Sequence, residues 1–258
     1  MTVRQYLQQR ERRNALAERQ FNVRITRALE QSLKYVLEES TRLDGLDQRL
    51  ESLIDDKPIE DALRWLYVDW GYQQFRWFKK NLPVNKKSDE GEWMRRLEEL
   101  FAQHGAAKVA EITGTTLELA RPIIQDALRM AAEGRSIDVI QQEIRNRLFE
   151  AGGVVSPGRA RTIARTEVVG ASNRSTHEAV SSFTQESGTQ VEKAWITGGL
   201  NIRDTHKAAE RQGYIPMDEP FELRNGNGGI DRMMHPGDPS GSAENVINCK
   251  CVLVYRTL

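Results

Sequence analysis

At Gly188 the sequence changes character, and this change constrains the fold more than any other feature. Before it the chain reads as a succession of helices. After it, Val191-Glu192-Lys193-Ala194-Trp195-Ile196-Thr197 alternates as a strand does. Residues 198–248 are then rich in Gly, Pro, Asn and Asp, with turn signals such as Asn225-Gly226-Asn227-Gly228-Gly229. A structureless loop of that length is uncommon in a compact domain unless something ties it down. The chain ends in Asn248-Cys249-Lys250-Cys251 and the apolar run Val252-Leu253-Val254-Tyr255. Residues 193–197 and 249–255 are expected to pair in a small sheet. The expected fold class is a mostly α N-terminal region followed by an α+β module with a small β-sheet.

The helical part divides at its breakers. Residues 2–42 contain neither proline nor glycine and read as one long helix or two joined ones, which Gly45 ends. Phe21, Ile25, Ala28, Leu29 and Leu33 recur there at helical spacing. Pro58 opens a second helix that runs to about Lys80 and carries Trp65, Tyr67, Trp70, Tyr72, Phe75, Trp77 and Phe78. Trp70 and Trp77 share a face. These aromatics are core anchors or, alternatively, a surface for a protein partner. Residues 83–91 read as a loop. Three helices follow: one over 92–112, one over 116–132 with Pro122 near its first turn, and one opened by Ser136 as N-cap with Asp138 in its first turn. Ile137, Ile140, Ile144 and Leu148 form the stripe of the third, and Gly152-Gly153 closes the block.

Ser156-Pro157 supplies N-cap and first position for a further helix, to about Ser182. Ala160, Ile163, Ala164, Val168 and Ala171 share a face whose small residues imply close packing. Arg165, Thr166, Asn173 and His177 fall near a polar face and are candidates for a buried polar network.

Composition bounds what the chain can bind. At 258 residues it has room for one large domain or two small ones. Its 37 basic and 37 acidic residues cancel, so there is no global pull toward nucleic acid or an anionic membrane. The first residues lack the apolar core of a secretory signal. No stretch approaches the ~18–20 apolar residues of a membrane span, and no membrane partner is expected. A disulfide between Cys249 and Cys251 would close a small strained ring, so reduced thiols are the simpler reading.

Three constellations could carry chemistry. His206, His235, Cys249 and Cys251 are the donors of a tetrahedral zinc site, which would staple the glycine-rich segment; the alternative is cysteines packed as small hydrophobes beside hydrogen-bonded histidines. No cofactor is otherwise expected. His206 with Asp204 or Glu167 could do acid–base work, with Cys249 or Cys251 as nucleophile, but no spacing forces this. The expectation is that the chain is not an enzyme and has no catalytic residues. Arg10, Arg12 and Arg13 lie among seven arginines in the first 28 residues, and Arg159, Arg161, Arg165 and Arg174 give the Ser156 helix a basic side, to which Arg203 and Lys207 could add. Both groups are candidate nucleic-acid contacts, or solvated and internally paired faces.

The stretch Arg161-Thr162-Ile163-Ala164-Arg165-Thr166-Glu167-Val168, with Ala171 and Asn173, resembles the I-A-R-T-E-x-x-x-A-x-N signature of the phage Mu F-like and SPP1-type minor head (head morphogenesis) proteins. Lys193-Ala194-Trp195 resembles that family's K-x-W strand, and Arg203-x-x-His206 its R-x-x-H. Gly213, Pro216 and Phe221 resemble its G-x-x-P…F segment, His235-Pro236-Gly237-Asp238-Pro239 its P-G-D-P loop, and Asn248-Cys249-Lys250-Cys251 its N-C-[RK]-C ending. Leu200-Asn201 stands where members often carry an acidic residue. The resemblance covers 115–258 and implies a head morphogenesis module there (helices over 116–185, small sheet and glycine-rich loop over 189–258), after a helical region over 1–114. It singles out Arg161, Arg165, Thr166, Glu167, Asn173, Arg203, His206 and Asn248 as the signature polar cluster. It also implies a virion protein at the head interior or portal vertex, in the host cytoplasm during assembly. Such a protein would act in head assembly, DNA packaging or DNA ejection, with portal or capsid protein, and phage DNA, as partners.

Overall fold

The computed structural model describes residues 2–80, 90–150 and 152–258. The expected fold class is the observed one: long helices, then small antiparallel sheets of three and two strands. The chain forms two compact units from interleaved segments. One comprises Phe21–Trp65 and Glu98–Arg161, the other Met1–Gln20, Leu66–Leu97 and Thr162–Leu258. The boundary drawn from motifs at 114/115 does not coincide with the limits of either unit.

The first of these units is entirely helical among its described residues. It holds the second part of α1 (Val3–Ser32), then α2 (Lys34–Glu39), α3 (Leu46–Leu53) and α4 (Lys57–Arg64). Phe21, Ile25, Ala28, Leu29 and Leu33 are at most 4% exposed, as their spacing predicts. Each such side chain contributes about 1.5–3 kcal/mol on burial. Gly45 caps α3 with φ of 63°, a left-handed conformation that glycine adopts without cost. The expected helices over 92–112 and 116–132 are instead one helix, α6 (Glu90–Ala132), and Pro122 sits in its interior. The helix continues through Gly114, and the hydroxyls of Thr115 and Thr116 bond back to the Ile112 carbonyl at 3.0 and 2.7 Å. Of the expected loop over 83–91, residues 83–89 lie outside the described residues, and Gly91 is helical. In α7 (Ile137–Phe149), Ile140, Ile144 and Leu148 are buried but Ile137 is not. It occupies the first helical position, where a side chain leans back past the helix end.

The second unit is built around α8 (Pro157–Ser187), which runs past the expected stop at Ser182. From Thr166 to Val180 its residues are almost all buried, polar ones included. The small-residue face predicted for it is therefore only part of what this stretch of the helix buries. Its hydroxyls are satisfied along the helix: Thr166 donates to Thr162 O, Ser175 to Ala171 O and Thr176 to Ser172 O, at 2.8–3.2 Å. Strands β1 (Val191–Ile196), β2 (Tyr214–Pro216) and β5 (Val252–Thr257) form an antiparallel sheet in the order β2-β1-β5, with Trp195 opposite Leu253 and Ala194 opposite Val254. The predicted pairing is thus present, but Cys249 and Cys251 precede the strand. Asn248, with φ of 61°, turns the chain out of extended conformation just before them.

Both faces of the sheet are covered. Trp195 and Leu253 pack with Phe221, Leu223, Met233, Val246 and both cysteines. Val191, Ala194 and Val254 pack with Tyr6, Phe75, Phe78, Trp93, Ala179 and Val180. The aromatic segment therefore supplies core anchors, continued into this unit by a π-helical stretch (Trp65–Trp70) and α5 (Gly71–Lys79). The glycine-rich segment is not structureless. It forms α9 (Asp204–Arg211), β2, the hairpin β3 (Phe221–Arg224) with β4 (Ile230–Met233), and α10 (Ala243–Val246). Asp231 ties it together, accepting from Ser242 N, Ser242 Oγ, Asn245 Nδ2 and Asn225 Nδ2 at 2.6–2.9 Å.

One close backbone approach in this unit is between two glycines. A Cβ on Gly237, whose φ is 76°, would lie 2.7 Å from Gly170 Cα and 2.9 Å from its nitrogen. Gly213 has a φ of 71° but open space around it. Gly237→Ala is expected to cost roughly 3 kcal/mol in urea denaturation, against about 1 kcal/mol for Gly213→Ala. Equal losses would refute the close-approach argument.

Candidate functional site

At the centre of the candidate site is Asn173, a fully buried side chain on α8. Its Oδ1 accepts from Arg10 Nη2 at 3.0 Å and from Leu253 N at 3.1 Å; its Nδ2 donates to Pro236 O at 3.1 Å and Cys251 O at 3.0 Å. One carboxamide thereby uses its whole donor and acceptor capacity to join α1, β5, the Pro236 loop and the cysteine segment. Arg10, placed by sequence among candidate nucleic-acid contacts, is buried and spent on this bond. Arg13 is likewise engaged: Nε donates to Gln74 Oε1, Nη2 donates to Gln73 O, and the guanidinium lies over Trp77. Arg12 is exposed. The expected N-terminal basic surface is thus divided, because residues three and four apart on a packed helix face the core.

Two turns earlier on α8, Arg165 donates to Asn248 Oδ1 at 2.7 Å and pairs with Glu18 at 3.0 Å. The Asn248 amide donates to Thr166 Oγ1 at 2.8 Å. These two bonds hold the left-handed turn that precedes Cys249. Glu167, 5% exposed, accepts from the Tyr67 hydroxyl at 2.6 Å. Arg203 donates to Ile247 O at 2.6 Å and so braces the same segment. Arg161 is exposed and belongs to the helical unit. Arg159 is spent within that unit, its guanidinium donating to Val154 O, Ile112 O and the hydroxyls of Thr115 and Thr116 at 2.8–3.2 Å.

His206, on α9, faces both cysteines. Its Nδ1 lies 3.3 Å from Cys251 Sγ and 3.8 Å from Cys249 Sγ, and its Nε2 lies 3.1 Å from the Asn245 carbonyl. All three residues are 2% exposed. The hydrogen bond with Cys249 is the largest influence on the Cys251 thiol; with His206 beside it, this outweighs burial and lowers the thiol to about 5. The same bond and burial push Cys249 up. The acid–base pairings considered from sequence do not form: Asp204 is bound to Lys207 at 3.0 Å, Glu167 holds Tyr67, and the ring nitrogens of His206 face a sulfur and a carbonyl.

His235 does not join this group. It lies beside His177, with ring centroids 6.1 Å apart, and its Nδ1 is 3.2 Å from Pro236 O. Lys193 is fully buried on β1 and donates to Met234 O at 3.1 Å; Asp238 accepts from Met234 N, Ser240 N and Ser240 Oγ. Burial lowers Lys193 to about 8. Burial, with Lys193 and each other's charge, lowers His177 to about 3; burial, opposed by Asp238, lowers His235 to about 4. Hydrogen bonds from Ser242, Asn245 and Asn225 hold Asp231 below the usual carboxylate range despite its burial.

No protein-family model matches the chain, and no solved structure matches it. The uncharacterized protein YqbB of Bacillus subtilis (strain 168) is 33% identical over 135 residues, a match covering 51% of this chain and 40% of the relative. The chain thus spans well under two thirds of that relative's length.

Sequence reading missed Asp231 and Asn245, the two residues that order the glycine-rich segment. Both stand among turn-forming residues, and nothing in their spacing separates a buried bond network from an ordinary surface turn. A cleft of about 560 Å³ is lined by Val3, Leu7, Glu18, Arg165, Ile196 and Lys250.

Two predictions follow from the buried polar groups. Asn173→Ala strands the Arg10 guanidinium in the interior and is expected to cost at least about 3 kcal/mol in chemical denaturation. Adding Arg10→Met should recover part of that loss; strict additivity would show that the two side chains are not coupled. Second, His177 and His235 stay neutral in the fold, while their unfolded forms take up protons near 6.5. Their contribution is complete above about pH 6.5 and is lost as pH falls through about 4 and then 3. The melting temperature should therefore fall from pH 7 to pH 4, and fall less steeply in His235→Gln. An unchanged slope in that variant would sink the assignment.

Proposed function

We propose that the chain is a minor head protein of a tailed phage or prophage, of the Mu F-like kind, acting in head assembly, DNA packaging or DNA ejection at the portal or the inner capsid. The observation that carries this reading is the use to which the signature residues are put. Arg165, Thr166, Asn173, Lys193, Arg203, His206 and Asn248 are scattered along the sequence in that family's order, and all are engaged in hydrogen bonds or polar contacts that fasten the last segment of the chain to α8, β1 and α9. A signature spent on fastening supports a structural module over an enzyme. The thiols that would serve as nucleophiles are 2% exposed. DNA is the secondary partner on this reading, since Arg10, Arg13 and Arg159 are engaged internally. No helix among the described residues is long and apolar enough to cross a membrane.

The test is the composition of particles. DNA-filled heads made by the genome that encodes this chain are purified, treated with nuclease and quantified by mass spectrometry. A few copies per portal ring are expected, retained when the tails are removed. Heads that lack the chain while it stays free in the lysate would overturn the proposal. Deleting residues 1–80 is not a suitable test of portal binding, because Tyr6, Phe75 and Phe78 belong to the core that covers β1 and β5.

A further inference from the structure

We propose that His206 Nδ1, Cys249 Sγ and Cys251 Sγ together hold one zinc ion, which fastens α9 to the cysteine segment. Three observations converge on this site. The first is distance. The three donor atoms lie within 4.8 Å of one another, with nitrogen–sulfur separations of 3.3 and 3.8 Å. A tetrahedral ion with ordinary zinc–sulfur and zinc–nitrogen bonds places such donors about 3.6 Å apart, between the two observed values.

The second is the state of the imidazole. The Asn245 carbonyl can only accept, so the hydrogen on the ring lies on Nε2 and, in the neutral ring, the lone pair is on Nδ1. That is the arrangement by which a backbone carbonyl fixes the tautomer of a metal-bound histidine. The third is that two sulfurs face this single lone pair. Without a metal, one thiol can use that lone pair and the two sulfurs can otherwise only hydrogen-bond to each other. A cation uses the nitrogen and both sulfurs at the same time. The Cys251 amide also donates to Cys249 Sγ at 3.3 Å, a contact that a metal-bound sulfur can keep.

The donor set selects the metal class. Two thiolates and an imidazole suit zinc rather than magnesium or calcium, which take oxygen ligands. Among the described residues no other His, Cys, Asp or Glu joins the three. A non-protein ligand or a backbone carbonyl would complete the tetrahedron. With each ligand 2% exposed, the ion is a structural one. The site departs from the four-residue set expected from sequence, because His235 lies with His177 and Lys193 instead.

The full chain is expressed with zinc in the medium, and its metal content is measured by elemental analysis. One zinc per chain is expected. It should be retained by His235→Gln and lost, or bound at least about tenfold more weakly, by Cys251→Ser and His206→Gln. Cobalt(II) titrated into the chelator-treated, reduced wild-type chain should give a thiolate-to-cobalt charge-transfer band, which needs no variant to fold. A wild-type chain that carries no zinc and gives no such band overturns the proposal, as does zinc that persists in a Cys249→Ser, Cys251→Ser double variant. The outcome is independent of whether the chain is found in phage heads.

Discussion

The four hydrogen bonds of Asn173 are the interaction on which the mixed unit depends. Water does not reach this side chain, so each bond lost there is a bond not replaced. Its partners are backbone groups on two loop segments and a strand, plus one guanidinium. No other residue type fits. Aspartate cannot donate to Pro236 and Cys251, and leucine would leave all four partners unsatisfied. An apolar core tolerates exchange among side chains of similar volume, whereas this centre specifies one residue and one register of β5 against α8.

From that centre the polar interior extends in both directions along α8. Toward its start, Arg165 and Thr166 hold the turn at Asn248. Toward its end, His177 is enclosed among Lys193, His235 and Asp238. Such an interior is strong when complete and weak when any member is missing. It therefore resists partial rearrangement. A protein that must keep its shape while packed against others in a capsid gains from that property, which connects the geometry to the proposed role.

Much of the fold was legible in the sequence. Phe21, Ile25, Leu29 and Leu33 announced their helix because apolar periodicity is a local property of the chain. The β1–β5 pairing followed from two β-branched, aromatic runs at the end of the sequence. Pro122 misled, because proline is costly inside a helix and is ordinarily read as standing in a first turn. The burial of α8 was only half visible: its small residues suggested close packing, but Asn173 and His177 look the same in sequence whether they face water or a loop seventy residues away. His206 and His235 were indistinguishable for a similar reason. Their different surroundings are set by α9 and by the Pro236 loop, elements whose positions no spacing rule supplies.

The interleaving of the two units has a consequence for the order of synthesis. The segments of the all-helical unit are complete once residue 161 has left the ribosome. The other unit joins segments on either side of it: Tyr6 donates to Leu253 O across a separation of 247 residues. The first turns of α1 therefore wait for the whole of that separation to be synthesised before they meet the strand they finally cover. Tyr6 and Leu7 lack their native cover throughout that interval, and apolar surface exposed in this way favours aggregation until the last strand arrives.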